Sequence, residues 1–392
     1  MVIIKLEEIR IINNLTKILM NSDFDIKLVL GNGFDLFCEL KTKYIDFFEN
    51  EKEKYDEIKK WRCSFIKKED ILYHYVGGKV YNWKDLWLPL SNEFNIWDLF
   101  FALGIGEEDY KWCDIETSML NTFINKDLNL SWDNVYLIFM SRNPDYKRSN
   151  LELLMVAYII NKNINILSEN DFYSFLLCEL NKFEKNFGLY VKNEYEKNYN
   201  DKVLINVSKF LDCISDEVYN KIRSVETFNY TDNSNKKAYV WKNINNINGD
   251  YNNPIFGINS NEVDVKSPKF LFTKVARRML NLMEKKGNMF KTFERDFDTL
   301  IIFGHSLNEH DYNYFFPIFD YLDITNITKT TTLIFYYYIY DEEKRNLILQ
   351  DQISKITQII DAYEGYAGVK KTHRLIDSLT AQGRIILKEI TK

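Results

Sequence analysis

No stretch of this 392-residue chain is apolar for long enough to cross a bilayer. Its longest apolar runs, Leu333–Tyr340 and Met155–Ile160, fall well short of the roughly 18 residues that a spanning helix needs. The opening segment also lacks the continuous apolar region of a secretory signal, since Lys5, Glu7, Glu8 and Arg10 interrupt it, and it is expected to form an amphipathic helix. These absences predict a cytoplasmic protein with no membrane partner. Cysteine is sparse and unpatterned. Cys38, Cys63, Cys113, Cys178 and Cys213 are odd in number and never form C-x-x-C, which argues against a disulfide framework and a zinc cage and predicts reduced thiols. An excess of positive charge is also missing. A formal charge of −6 offers no chain-wide attraction to a polyanion, so sequence-independent binding of nucleic acid is not the expected function. No internal repeat is present.

What is there begins with Ile26–Asp35, IKLVLGNGFD, a short buried-type strand that breaks at Gly31-Asn32-Gly33 before an acidic residue. Such a break exposes backbone N–H groups at a sheet's carboxyl edge, and a helix starting just after it adds a partial positive charge that favours phosphate. The dinucleotide fingerprint wants a third glycine where Leu36 stands, so the dehydrogenase version is incomplete. Two further runs have the same shape: Val225–Phe228 before Asn229-Tyr230-Thr231, and Thr299–Phe303 before Gly304-His305-Ser306-Leu307. Apolar runs closed by turn residues are the mark of buried parallel strands, and their ends are expected on one edge of one sheet. Thr332–Tyr340, thick with Ile, Phe and Tyr, predicts a central strand.

Length alone suggests two domains, or one with a large insertion. The predicted organisation is an α/β, Rossmann-like parallel sheet flanked by helices, built from residues 22–50 and 221–392, with a helical insertion over 51–220. Within the insertion, Asp171–Tyr195 sets Phe172, Phe175, Leu176, Leu180 and Phe183 near one helical face, while the charges of Lys182–Lys202 are expected to face solvent. Asp250–Lys269 predicts a loop that admits a short strand at Ile255-Phe256-Gly257. Glu342–Ala362 predicts an amphipathic helix; Arg384–Ile390 fits either an edge strand or a frayed helix.

Several blocks occur in a set order: Gly31-Asn32-Gly33-Phe34-Asp35, Thr42-x-Tyr44-x-Asp46-Phe47, Trp112-x-Asp114-x-Glu116, Phe228-Asn229-Tyr230-Thr231, Ile255-Phe256-Gly257, Phe272-Thr273-Lys274 and Gly304-His305-Ser306-Leu307-x-x-x-Asp311. In this order and over about residues 26–320, the chain resembles the AbiH family of bacterial abortive-infection proteins. The resemblance implies a defence protein acting against bacteriophage, and a Rossmann-like fold distantly similar to sirtuins. In that sirtuin-like class a strand-end Asn and a His before Gly serve NAD cleavage, and a Gly-x-Ser loop holds the nucleotide. The implied counterparts are Asn229, position 248 and Gly304–Ser306. Here the chain departs from the pattern, because Ile247-Asn248-Gly249 puts an amide, which accepts no proton at neutral pH, where the histidine belongs.

On this resemblance the leading expectation is an effector that takes an adenine dinucleotide, NAD, as substrate and hydrolyses its nicotinamide–ribose bond. The nucleotide would be held by Gly31, Asn32, Gly33, Phe34, Tyr230, Thr231, Asn248, Gly249, Lys274, Gly304 and Ser306. Cleaving an N-glycosidic bond builds positive charge on the sugar, so carboxylates matter. Asp35, Asp114, Glu116, Glu226 and Asp311 are available, and Asp35 and Asp311 are favoured because each closely follows a glycine loop. His305 is the best remaining titratable base in the motif regions.

Each residue has a plainer reading. Asp114 fits a helix cap and Glu116 a favourable helix-dipole position; Asn229 fits a turn with a left-handed backbone; Lys274 fits a surface lysine as well as a phosphate partner. Gly-x-Ser-x-Gly chemistry is excluded, because Asn308 stands where the second glycine is required. His310 and Asp311 read as the first turn of a helix begun near Asn308 or Glu309. Two other functions stay open: a nucleotide-binding sensor without turnover, and a nuclease with Asp35, Asp114, Glu116 and Asp311 as ligands for Mg²⁺. A phage-derived trigger and a homo-oligomer are the remaining expected partners.

Overall fold

The computed structural model describes residues 25–60, 94–103, 112–124, 126, 129–141, 149–162, 164–214, 216–231, 244–284, 297–368 and 373–391. The amphipathic segment expected at the N-terminus lies outside these residues. The chain divides into two compact units. One is drawn from Met1–Leu40, Lys192–Asp250 and Gly287–Lys392, the other from Lys41–Val191 and Tyr251–Lys286.

The first unit is built on a six-stranded sheet. Its strands are β1 (Asp25–Leu30), β2 (Ile222–Thr227), β3 (Ile244–Asn246), β4 (Phe297–Phe303), β5 (Thr332–Tyr338) and β6 (Ile385–Ile390), in the spatial order β3-β2-β1-β4-β5-β6. Every neighbouring pair is parallel. The near-continuous apolar runs of β1 and β4 follow from this, since a parallel strand buries both faces. Val29, Leu300, Ile302, Leu333 and Phe335 pack on one face against the helices Tyr312–Tyr321, Arg345–Tyr366 and Leu375–Ala381. On the other face Phe303 meets Phe34 and Phe37 of the helix Asn32–Phe37, and stacks at 5.0 Å on Phe210 of the helix Leu204–Ile214. The sheet is therefore the Rossmann-like α/β layer expected from the sequence; of the helical content between β1 and β2, Lys41–Val191 falls in the second unit, while the helices from Lys192 onward, Leu204–Ile214 among them, belong with the sheet.

Details differ from the expectation. Residues 255–257 form no strand, and only an isolated bridge joins Ile258 to Thr273. The segment ending at Ile390 is an edge strand, not a helix. The C-terminal amphipathic helix runs over Arg345–Tyr366, after a short turn at Glu342–Lys344 capped by Asp341.

The second unit is helical, with an aromatic core. Trp97 and Trp132 lie 5.4 Å apart, Phe101 and Phe183 4.6 Å, and Phe123 and Phe272 4.6 Å. Aromatic side chains bring large buried area and directional ring contacts, each pair contributing about 0.5–1.5 kcal/mol beyond burial. Its longest helix, Glu169–Asn198, buries Phe172, Leu176, Leu180 and Phe183 along one stripe, as expected, and Phe187 extends it, whereas Phe175 is only half-buried. The charges after Lys182 do not all face solvent. Glu184 is 3 % exposed, because Arg277 and the Phe256 N–H hold its carboxylate inside.

Among the described residues no helix is long and apolar enough to cross a membrane.

Candidate functional site at the carboxyl edge of the sheet

Register brings the strand ends level. Leu30 of β1 lies opposite Thr227 of β2 and Phe303 of β4, and Thr227 lies opposite Asn246 of β3. The chain therefore breaks out of the sheet at Gly31, Phe228, Ile247 and Gly304 along one border. Strand order reverses between β1 and β4, and in open parallel sheets that switch point, outside the carboxyl ends, is where ligands bind.

The glycines there serve a close approach of two loops. Gly31 N–H donates to the Phe303 carbonyl at 2.9 Å, and Gly33 N–H to the Gly304 carbonyl at 2.7 Å. A Cβ on Gly31 would lie 2.4 Å from His305 Cα, and one on Gly33 2.6 Å from Gly304 Cα. Gly304 has φ of +69°, and a Cβ there would lie 2.4 Å from the Phe34 nitrogen. Two N–H groups expected to point at phosphate are thus committed to carbonyls at the end of β4 and in the loop after it. The helix that follows is only six residues long, so its dipole adds little.

The apolar helix Asn32–Phe37 turns Asp35 inward, where its carboxylate collects polar groups from the β2 loop. Asn229 Nδ2 donates to Asp35 Oδ1 at 2.9 Å, and Thr231 Oγ1 sits 3.1 and 3.2 Å from the two carboxylate oxygens. Asn246 Nδ2, at the end of β3, donates to the carbonyls of Asn229 and Thr231, and the Asn229 N–H donates to Thr227 Oγ1 at 3.1 Å. Asp35, Asn229 and Thr231 are all buried. Because the carboxylate accepts only, the Asn229 NH₂ must face it. The opposite amide atom, Asn229 Oδ1, is buried and has no hydrogen-bond partner among the described residues. Asn229 does not adopt the left-handed backbone of its plainer reading.

His305 is held on both sides of its ring. Its Nδ1 accepts the Leu307 N–H at 2.9 Å, and Nε2 lies 3.6 Å from Asp311 Oδ2. A neutral ring arranged this way carries its proton on Nε2 and has spent its one lone pair. His305 therefore braces the β4 loop, which also contains Leu307 at a φ of +51°, a conformation costing about 1–2 kcal/mol for a residue with a side chain. Asp311 closes a short turn, Glu309–Asp311, whose cap is Asn308 and which leads into the helix Tyr312–Tyr321, as the sequence predicted. Asn248 is buried just beyond β3, and Gly249 follows it at a φ of +78°.

Three further candidates, Asp114, Glu116 and Lys274, belong to the second unit. Lys274 is no surface lysine: it is 4 % exposed and its Nζ pairs with Glu116 Oε2 at 2.9 Å. Asp114 falls in the helix Trp112–Phe123, with its side chain outside the described residues. No group of three or more His, Cys, Asp or Glu side chains among the described residues is arranged to hold a metal ion. Glu226, another available carboxylate, lies inside the sheet, paired with Lys27 at 2.5 Å. Sequence reasoning missed both that pair and the Arg277–Glu184 pair. A charged residue amid the apolar run of β1 was the one signal that could have pointed to the first.

A doubly wound parallel sheet with buried polar side chains gathered at its switch point defines a Rossmann-like α/β protein. Residues 28–336 match the family model for bacteriophage abortive infection AbiH, and the chain belongs to that family. Membership implies a role in abortive infection of phage-infected cells. No curated protein and no solved structure matches the chain.

Proposed function

We propose that the protein binds an adenine dinucleotide at the carboxyl edge of its sheet and hydrolyses NAD at the nicotinamide–ribose bond. The observation that carries this reading is the Asn229 amide, whose nitrogen is fixed by Asp35 and whose oxygen is left buried without a partner. An unmatched buried acceptor costs about 1–3 kcal/mol, which a bound hydroxyl or water would recover. In the proposed reaction water adds to the ribose C1′, and nicotinamide leaves as a neutral molecule with the bonding electrons. The water's second proton passes to solvent. The leaving group needs no proton, so no general acid is required, and a general base typically adds about 10²–10⁴-fold, so its absence at Asn248 slows the step without abolishing it. Asn229 Oδ1 would accept a hydrogen bond from the attacking water, with Asp35 as the residue that positions it.

The test is to incubate purified protein with NAD, with and without phage lysate, and to quantify nicotinamide. Release that falls about 10²–10³-fold in Asn229→Ala supports the reading. No release under any condition, with toxicity persisting in cells carrying Asn229→Ala, removes it. A second reading, a nucleotide sensor without turnover, is favoured by the amide at Asn248 in place of a base. Calorimetry that finds tight NAD binding and intact NAD afterwards selects it, whereas faster turnover in Asn248→His selects the hydrolase.

A further inference from the structure

The second unit contains a cavity of about 270 Å³ that the reading above does not use. It opens between the helix Glu169–Asn198, the turn Asn253–Ile255 and the helix Lys274–Glu284. Ligand cavities run from roughly 300 to 1,000 Å³, so this one suits a compact metabolite and not a dinucleotide or a macromolecular segment.

Its chemistry is cationic and amide-rich. Asn181 and Lys185 share one face of the long helix at a spacing of four, as Arg277 and Asn281 do on the other helix, and Asn253 completes the rim. Arg277 is 7 % exposed; its Nη2 donates to Glu184 Oε2, and Glu184 Oε1 accepts the Phe256 N–H at 2.7 Å. The guanidinium is therefore anchored through Nη2, while Nη1 is buried and makes no hydrogen bond among the described residues. With Nη2 committed to Glu184, Nη1 remains as a charge-assisted donor of the kind that phosphate or carboxylate accepts. Lys185 is exposed and forms no ion pair among the described residues. One cation neutralised once, with a second beside the cavity, leaves the site net positive.

The cavity wall is a built feature. Gly188 sits in the middle of the long helix, where a glycine costs about 1 kcal/mol relative to alanine. A Cβ there would lie 2.1 Å from the Tyr251 carbonyl oxygen and 3.2 Å from Pro254 Cδ. Only glycine lets this turn settle on the helix, and the turn carries Asn253 to the rim.

We propose that this cavity binds the phosphate group of a small phosphorylated metabolite, with Arg277 Nη1 and Lys185 Nζ as its cationic contacts. The amides of Asn181, Asn253 and Asn281 read the rest of the molecule.

Calorimetry on the full chain tests this with ribose 5-phosphate, inorganic phosphate and sulfate as probes. Ribose 5-phosphate should bind more tightly than either inorganic ion. Lys185→Ala should weaken it about tenfold, the worth of roughly one charge-assisted contact, with the melting temperature of the unliganded protein unchanged. Asn281→Ala should weaken ribose 5-phosphate more than inorganic phosphate. Asn229→Ala should leave all three affinities unchanged, which separates this cavity from the proposed dinucleotide site. The proposal is overturned by absence of binding, by equal affinity for all three probes, by indifference to Lys185→Ala, or by loss of binding in Asn229→Ala. Arg277→Lys leaves Glu184 poorly paired and reports on folding, so Lys185→Ala carries the decision.

Discussion

Asn229 Nδ2 donates to Asp35 Oδ1 at 2.9 Å across 194 positions of sequence, joining the loops after two neighbouring strands. Replacing Asn229 by Asp sets two carboxylates against each other in a buried site, and one of them must hold a proton. That raises a folded-state pKa above the unfolded value of about 3.9. The variant should lose on the order of 2–3 kcal/mol above the raised pKa, a deficit that disappears as pH falls to about 4. Urea midpoints of Asn229→Asp and the parent protein from pH 4 to 8 check this. A deficit that stays constant with pH would show that the two side chains do not share the site.

Gly304 and Gly383 have nearly equal positive φ, +69° and +67°, but different surroundings. A Cβ at Gly304 meets the Phe34 nitrogen, whereas one at Gly383 meets nothing within 4 Å. Gly383→Ala should therefore cost only the left-handed backbone, about 1–2 kcal/mol. Gly304→Ala should cost clearly more, because backbone must move. Equal losses in chemical denaturation would contradict the close packing of the two loops.

Lys27 and Glu226 form an ion pair inside the sheet, 1 % and 2 % exposed, with Lys27 Nζ 5.1 Å from the centroid of the Phe297 ring. Burial pushes the Glu226 carboxyl above its ordinary range, with Lys27 opposing the shift. Lys27→Met alone leaves a buried carboxylate uncompensated and should cost about 3–5 kcal/mol. Combining it with Glu226→Leu should recover most of that loss. A double-mutant cycle by urea unfolding measures the coupling, and additive losses would refute it.

Glu184 is pushed up from 4.5 to about 7, chiefly by burial, which outweighs the Arg277 charge and the Phe256 N–H. Between about 4.5 and 7 the native protein then holds a proton that the unfolded chain has released. Stability should be greatest below that window and fall as pH rises through it, by on the order of 3 kcal/mol. Glu184→Gln should flatten the slope. Parallel slopes for the variant and the parent would assign the pH dependence to other groups.

The strands β1, β2, β4 and β5 were legible because burial on both faces leaves a local signature, an apolar run closed by polar or glycine residues. The edges were not. β3 is three residues long, with two of its three positions Asn, and carries no run to detect. β6, partly exposed along nearly its whole length and reading Ile-Ile-Leu-Lys-Glu-Ile, fits a helix as well as a strand. At the site, the glycine loops and Asn229 announced themselves, but their reasons did not: nothing local tells that Gly31 yields to His305, or that Asp35 turns toward an amide 194 residues away. Glu184 and Lys274 misled for the same cause. Their charge predicts solvent, and only the partners Arg277 and Glu116, distant in sequence, make burial affordable.

The loops after β1 and β4 mesh backbone to backbone, with no side chain between Gly31, Gly33 and Gly304 to act as a cushion. Such a seam has no slack. Displacing the His305 bend would strain the Asp35 turn beside it, because backbone atoms alone form the contact between the two loops.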